Sequence, residues 1–489
     1  MPRQVVILHG WSDDSDSFRP LSRFLKRNGF QTVPVFLGDY VSLRDDVRIE
    51  DVAKRMEEAI RSAQRRSRNR LGATFDLIVH STGGLVARQW IASNYQDSAC
   101  PVQNLVMLAP ANFGSALAHL GRSMLGRVLK GWKTGFETGE EMLYALELGS
   151  PFQWHLAQQD LFVPEGRTAR NTPAFYGADK VRPFVLVGTY PYQDFAARIT
   201  NENGSDGTVR VAAANLNSQG MTVDFSDGAR ALQNPTITQW RKRGGANVRF
   251  PLAVLADRTH GDVTRPAEKG GSSIPDLQKQ LGELILQALR TTSATYARVA
   301  DDWQQISMRT RALAGDSNER RRLFGKKSDA DYYHEYFQLV VRAEDEFGTP
   351  IPDYFVRFVK KPRARLFRPL SNLEKSSVYF QDEVLEHVHV HRRSPEYRNF
   401  YMDRYDLMKT GGWYDRIKNP AERKLQFTVT AADPGERIAY FEHRPNARGL
   451  VHLHQEQQED RWLKRHTTHF IRLIIPRASD PKIFRLQQG

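Results

Sequence analysis

Thiols are almost absent from this chain. Cys100 is the single cysteine in 489 residues, which excludes an intramolecular disulfide and a cysteine-based metal site. Long apolar runs are missing too: no stretch of 18 consecutive apolar residues occurs, so no segment reads as a membrane-spanning helix. Neither a repeat of solenoid period nor a low-complexity tract is present, which removes repeat scaffolds from consideration. The first residues, MPRQVVILHGW, enter a strand-like run at once without the apolar core of a secretory leader. Synthesis in the cytoplasm is therefore expected, with no export route legible.

What is present is charge and enough apolar material for real cores. Hydrophobic residues make up 40%, aromatics 10% and charged residues 26%; this is the balance of a globular chain of roughly two to four domains. The formal net charge is +14. Residues 291–489 hold 35 Lys+Arg against 27 Asp+Glu, and residues 1–290 hold 35 against 29, so the excess is spread along the chain. A diffuse positive charge favours solubility and anionic surfaces such as phospholipid headgroups. It lacks the gathered basic stripe of a nucleic-acid reader, so nucleic acid is not the expected partner. No protein partner is legible.

Along the first 290 residues, short apolar runs alternate with amphipathic ones. Residues 4–8 (QVVIL), 32–37 (TVPVFL), 77–79 (LIV), 102–108 (VQNLVML), 183–190 (PFVLVGTY) and 248–256 (VRFPLAVLA) read as buried strands. Helices are expected after Ser15 or Ser17 as a cap, over residues 50–66, from Leu85 onward, and over 274–289. Strands alternating with helices predict a parallel sheet covered on both faces. From Ser115 to about residue 180 the alternation stops. Leu117, Leu120, Met124, Leu125, Val128, Leu129 and Trp132 lie at helical spacing, so this insertion reads as a helical cap over a core pocket, or as plain packing against the core. Polar, basic residues 291–330 read as a linker. Beyond them, strand-like runs at 337–342, 354–359, 378–390, 425–429, 437–442 and 468–475 predict a second, mostly antiparallel, sandwich-like domain over 331–489.

The chemistry gathers at strand ends. After the strand at 77–79 the chain turns through His80-Ser81-Thr82-Gly83-Gly84 into a helix. A serine on such a turn is held above the sheet edge, where backbone N–H groups of the turn can face a developing oxyanion. A small residue two positions on is expected where strand and helix pack closely, and Gly83 supplies it. A serine hydroxyl needs a base, and the base needs an acid behind it. Asp206, in a polar loop after the strand at 183–190, and His260, directly after the strand at 248–256, follow in chain order. All three then converge at one sheet edge. His9, His80, His119 and His155 remain alternatives for the base, but only His260 follows the last core strand. Asp257 and Asp262 are alternatives for the acid, though they lie very near His260 in sequence. No metal site is expected: His387, His389 and His391 alternate along a strand about 7 Å apart, too far for a shared ion.

Together these residues resemble the α/β-hydrolase superfamily, whose nucleophile elbow is written G-x-S-x-G and whose triad order is Ser…Asp…His. Val79 stands at the first glycine position, the one departure. The resemblance covers about residues 1–290 and implies an α/β fold: a doubly wound, mostly parallel sheet with a helical cap. It implies an oxyanion hole from the backbone N–H groups of Thr82 and of Trp11 in the His9-Gly10-Trp11 turn. VHSTGGLVAR and the Ser-Asp-Gly-Thr-Val segment look most like lipases and lipid-acyl hydrolases. That implies cleavage of carboxylic esters of lipids through an acyl-enzyme, without a cofactor. Acyl transfer or thioester hydrolysis with the same triad, or a weakly catalytic interaction protein on this fold, are the alternatives.

Overall fold

A computed structural model describes residues 3–8, 18–34, 46–96, 98–120, 139–168, 171–193, 200–226, 235–245, 248–268, 270–271, 280–314, 329–358, 372–418, 423–432, 439–440, 451–455 and 462–478. The proposed helix caps Ser15 and Ser17, cap residues 121–138 and linker residues 315–328 lie outside them. The chain divides into two units. The first holds residues 1–217 and 241–334, the second 218–240 and 335–489.

The first unit is built on six parallel strands. These are β1 (Gln4–Leu8), β2 (Gln31–Pro34), β3 (Phe75–His80), β4 (Val102–Leu108), β5 (Arg182–Gly188) and, after β6 (Gln219–Asp224) and β7 (Thr236–Gln239) of the second unit, β8 (Leu252–Leu255). Their order is β2-β1-β3-β4-β5-β8. Every residue of β3 is buried, as a strand covered by helices on both faces requires. Helices α1 (Arg19–Arg27), α2 (Ile49–Arg65) and α3 (Gly83–Asn94) alternate with the first strands. The described part of the insertion after β4 includes the expected helices: Ala116–Leu120, Glu140–Leu146 and Pro151–Asp160.

At the end of the sheet where β3 and β4 begin, Asp76 is fully buried. Arg3 pairs with it at 2.5 Å and the Asn104 N–H donates to it at 3.1 Å. Burial outweighs the arginine, and the carboxyl is pushed up to about 6 from 3.8. The folded state therefore binds the proton more tightly than the unfolded chain, and stability falls as pH rises from 4 through 6. That difference corresponds to at most ~3 kcal/mol. Denaturant titrations of wild type and Asp76→Asn at pH 4, 5, 6 and 7 are expected to show wild type losing ground to the variant by that order. Parallel curves would remove the burial argument.

The expected linker is corrected. Tyr296–Ala312 is a helix of the first unit, with Tyr296, Val299, Ala300, Trp303 and Ile306 buried. It protects the edge strand β8 with side chains. Ser307 Oγ accepts from Val254 N–H at 3.1 Å and donates to Leu252 C=O at 3.0 Å, and Thr310 Oγ donates to Val254 C=O at 2.6 Å. An open sheet edge needs such cover. The polar look of this stretch is the solvated face of an amphipathic helix.

The second unit also differs from its expected bounds. Its main sheet has the order β11-β12-β9-β16-β6-β7, formed by β6 (Gln219–Asp224), β7 (Thr236–Gln239), β9 (Tyr336–Glu344), β11 (Leu385–Val390), β12 (Tyr397–Asp403) and β16 (Thr467–Ile474). β16 pairs in parallel with both β9 and β6, so the sheet is mixed. β6 and β7 are contributed from between the two sequence segments of the first unit. A smaller antiparallel sheet joins β10 (Asp353–Arg357), β13 (Lys424–Ala432) and β15 (Val451–Gln455). Leu339, Val341, Phe400, Met402 and Ile471 of the large sheet share one core with Tyr354, Val356, Leu425 and Phe427 of the small one, which is the sandwich-like packing expected. Residues 378–384 are helical, not strand. The alternating histidines lie partly on β11: the rings of His387 and His389 are 6.5 Å apart, and His391 Nδ1 accepts the Ser394 N–H.

Candidate active site

β3 runs out at His80, and Ser81 turns the chain into α3 with φ of 53°. That is the left-handed region, which a side chain enters at a cost of about 1–2 kcal/mol. Three backbone bonds hold it there. Ser81 N–H donates to Leu108 C=O, and Ser81 C=O accepts from Gly84 and Ala111, each at 3.1 Å. Glycine is needed at the position after Gly83: a Cβ on Gly84 would come 2.7 Å from the Cβ of Pro110. Val79 needs no glycine. It is ordinary strand, fully buried and paired with Leu8 and Met107.

Asp206 sits in a tight turn between Gly204 (φ 62°) and Gly207 (φ 91°). The Tyr192 ring lies where a Cβ on Gly207 would go, so that position combines positive φ with close approach. The Asp206 carboxylate is fully buried. Oδ1 accepts the N–H groups of Thr208 (3.0 Å) and Val209 (2.7 Å), leaving Oδ2 for the ring N–H of His260 Nδ1 at 2.9 Å. The turn is braced from below by the buried Arg210, whose Nε donates to Glu202 at 2.7 Å. Burial first, then the Asp206 carboxylate, pushes the Tyr192 phenol up, so its hydroxyl stays neutral beside Thr208.

His260 follows β8 and is 2% exposed. With Nδ1 donating to Asp206, its Nε2 is the acceptor, 3.1 Å from the Ser81 hydroxyl. A continuous chain Ser81–His260–Asp206 results, built from residues 54 and 179 positions apart. A hydroxyl in such a chain can pass its proton to the imidazole as it attacks, and the carboxylate stabilises the resulting imidazolium.

The other candidates are occupied otherwise. His155 is exposed on its helix. Asp262 accepts the Thr259 hydroxyl at 2.7 Å, and Asp257 lies against Arg258. Burial raises the Asp257 carboxyl above its ordinary value, against the opposing pull of Arg258. Thr82 is the N-cap of α3, beside first-turn N–H groups that lack intrahelical acceptors. His9, Gly10 and Trp11 lie outside the described residues, as does the His119 side chain. Sequence reasoning missed Tyr192, Glu202 and Arg210. Only the glycine at 207, which admits an aromatic ring, gave a local sign of that bracing.

The family model described as palmitoyl protein thioesterase matches residues 4–158. No curated protein sequence matches the chain. Among solved structures, the phospholipase PlaB from Legionella pneumophila superposes with a TM-score of 0.75 at 22% identity, over 100% of this chain and 96% of that one. The same phospholipase in complex with thio-NAD gives 0.72. A lipase of Bacillus licheniformis, BlEst2, is similar over 44% of this chain and 80% of its own at 17% identity, with a TM-score of 0.32. The fold is therefore that of an α/β-hydrolase, carrying additional β-rich sheets in its C-terminal part. No helix among the described residues is long and apolar enough to cross a membrane.

Proposed function

We propose that this α/β-hydrolase-fold chain is a serine hydrolase that cleaves carboxylic esters of lipids through an acyl-enzyme. The single observation that carries the reading is the hydrogen-bonded chain from Ser81 through His260 to Asp206, headed by a serine held at φ 53°. In the reaction, Ser81 Oγ attacks the ester carbonyl while His260 Nε2 takes the hydroxyl proton. Collapse of the tetrahedral intermediate expels the lipid alkoxide, which receives that proton from His260. Water, deprotonated by the same Nε2, then releases the fatty acid and restores Ser81. The oxyanion is assigned to the backbone N–H of Thr82 and, by the resemblance, to that of Trp11. Asp206 keeps His260 in the tautomer that accepts at Nε2.

The lipid assignment leans on likeness to a phospholipase along the whole chain and on the apolar insertion, which buries Leu117, Met142, Leu146 and Leu148. A positive net charge favours docking on anionic bilayers. The match to a thioesterase family model over residues 4–158 supports a second reading, cleavage of fatty thioesters. Both share the acyl-enzyme and differ only in the leaving group. Fatty-acid release from phosphatidylglycerol and phosphatidylcholine vesicles, compared with release from palmitoyl-CoA, separates them. The oxygen ester is expected to give a kcat/KM at least tenfold higher. A preference for palmitoyl-CoA would move the assignment to the thioesterase reading. Absence of turnover on all three, with Ser81 unlabelled by a fluorophosphonate, would leave a binding protein on a hydrolase fold.

A further inference from the structure

We infer that His80, the residue immediately before the nucleophile, is a positioning residue that holds the main chain of the base. The inference rests on the hydrolase reading of Ser81, His260 and Asp206. His80 closes β3, paired with Leu108, and is 4% exposed. Its Nε2 lies 3.0 Å from the carbonyl oxygen of His260. A carbonyl only accepts, so this nitrogen carries a proton and donates. The two imidazoles also touch, with centroids 4.7 Å apart and planes tilted by 43°, and Phe18 meets the outer side of His80 edge-on at 5.9 Å.

The consequence concerns how a base on a loop is aimed. Every polar group of His260 is engaged. Its N–H donates to the Asp206 carbonyl at 2.9 Å, its C=O accepts from His80, Nδ1 donates to the Asp206 carboxylate, and Nε2 faces Ser81. Asp206 thus anchors the base from one side, through main chain and side chain together. His80 anchors it from the other, and does so from the same backbone turn that carries the nucleophile. Ser81 at positive φ breaks the strand alternation, and neighbouring residues 80 and 81 both address His260. The elbow in this way sets the separation between nucleophile and base directly, without relying on the loop after β8. A displacement of about 1 Å between reacting groups can lower a rate about 100-fold, so a direct tie of this kind affects turnover more than it affects stability.

The test uses the full chain with p-nitrophenyl butyrate, active sites counted by fluorophosphonate titration. In His80→Phe, which keeps ring volume and loses the donor, kcat per active site is expected to fall about 10–100-fold. KM should stay within about twofold. Fluorophosphonate labelling of Ser81 should slow in parallel. His80→Gln carries an amide N–H at a reach similar to Nε2 and is expected to recover most of the rate; His80→Asn, whose amide is shorter, is not. A merely structural role predicts a lower melting temperature with unchanged kcat per active site, or equal losses in the Gln and Asn variants. Either result overturns the inference while leaving the hydrolase reading intact. If wild type neither turns over nor labels at Ser81, the hydrolase reading itself fails, and this inference with it. Should His80→Phe not fold, the comparison of Gln with Asn decides alone.

Discussion

Ser81→Ala is expected to lower ester turnover by about a million-fold, the scale seen when the nucleophile of such a triad is removed, with the folded structure unchanged. Ser81 contributes a hydroxyl to the site, but the turn it occupies is held by its backbone: its N–H goes to Leu108 and its C=O accepts from Gly84 and Ala111. None of those bonds needs the side chain. A second substitution separates chemistry from strain. Ser81→Gly is equally inactive but relieves the left-handed conformation at φ 53°, and should be more stable than Ser81→Ala by about 1 kcal/mol. Asp206→Asn is expected to lose about 10,000-fold, because the carboxylate orients His260 and stabilises its protonated form. Initial rates on a soluble fatty ester, with urea unfolding of each variant, check all three. Residual turnover in Ser81→Ala within tenfold of wild type would refute the nucleophile assignment. Equal stability of the alanine and glycine variants would show that the turn is not strained.

Arg88→Met is expected to destabilise the first unit by about 3–5 kcal/mol, because it strands a buried charge. Arg88 lies on α3 two turns beyond Ser81, and both it and Asp160 are wholly buried. The guanidinium grips Asp160 with two bonds of 2.8 and 2.9 Å and donates a third, at 2.9 Å, to the Asn112 carbonyl. Tyr176 donates its hydroxyl to the same carboxylate at 3.0 Å. Burial and then the Asp160 charge push the Tyr176 phenol well above its ordinary value, which keeps it a donor. One cluster therefore ties the nucleophile helix to the insertion helix Pro151–Asp160 and to the loop after β4, whose Ala111 is bonded to Ser81. The double variant Arg88→Met/Asp160→Leu is expected to recover most of the lost stability, since replacing both charges by apolar groups removes the stranded ion. Urea titrations of the two single variants and the double variant form the cycle that measures this. If Arg88→Met costs less than about 1 kcal/mol, the pair behaves as a solvated surface contact, and its burial contributes nothing.

Much of the site was legible in the sequence, for a local reason. Strands β1, β3, β4 and β5 announce themselves as short apolar runs, and Ser81 and His260 stand directly after such runs. Side-chain periodicity is a property of consecutive residues, so it survives in the sequence unaided. The need for glycine at 84 marks the limit of that reading. Helix and loop meet at Gly84 and Pro110, a contact that no spacing within either segment encodes. The alternation that made residues 378–384 look like strand was overridden by packing: Phe380 and Val384 enter the core from a helical turn.

By itself, then, the sequence determined that a parallel α/β sheet exists, that Ser81 stands at the turn between β3 and α3, and that Asp206 and His260 follow it in loops after later strands. Tertiary structure alone decided which carboxylate faces His260: Asp206 offers its Oδ2 to the imidazole, while Asp262 accepts from Thr259 and Asp257 lies against Arg258. It also decided unit membership. β6 pairs with β16 across 250 residues, as in Val223 with Leu473, and the helix Tyr296–Ala312 covers the edge of β8 instead of linking units. Strand partners are chosen by shape and free hydrogen-bonding edges once elements exist. Those surfaces form only when the chain has folded, so residues distant in sequence carry no local mark of them.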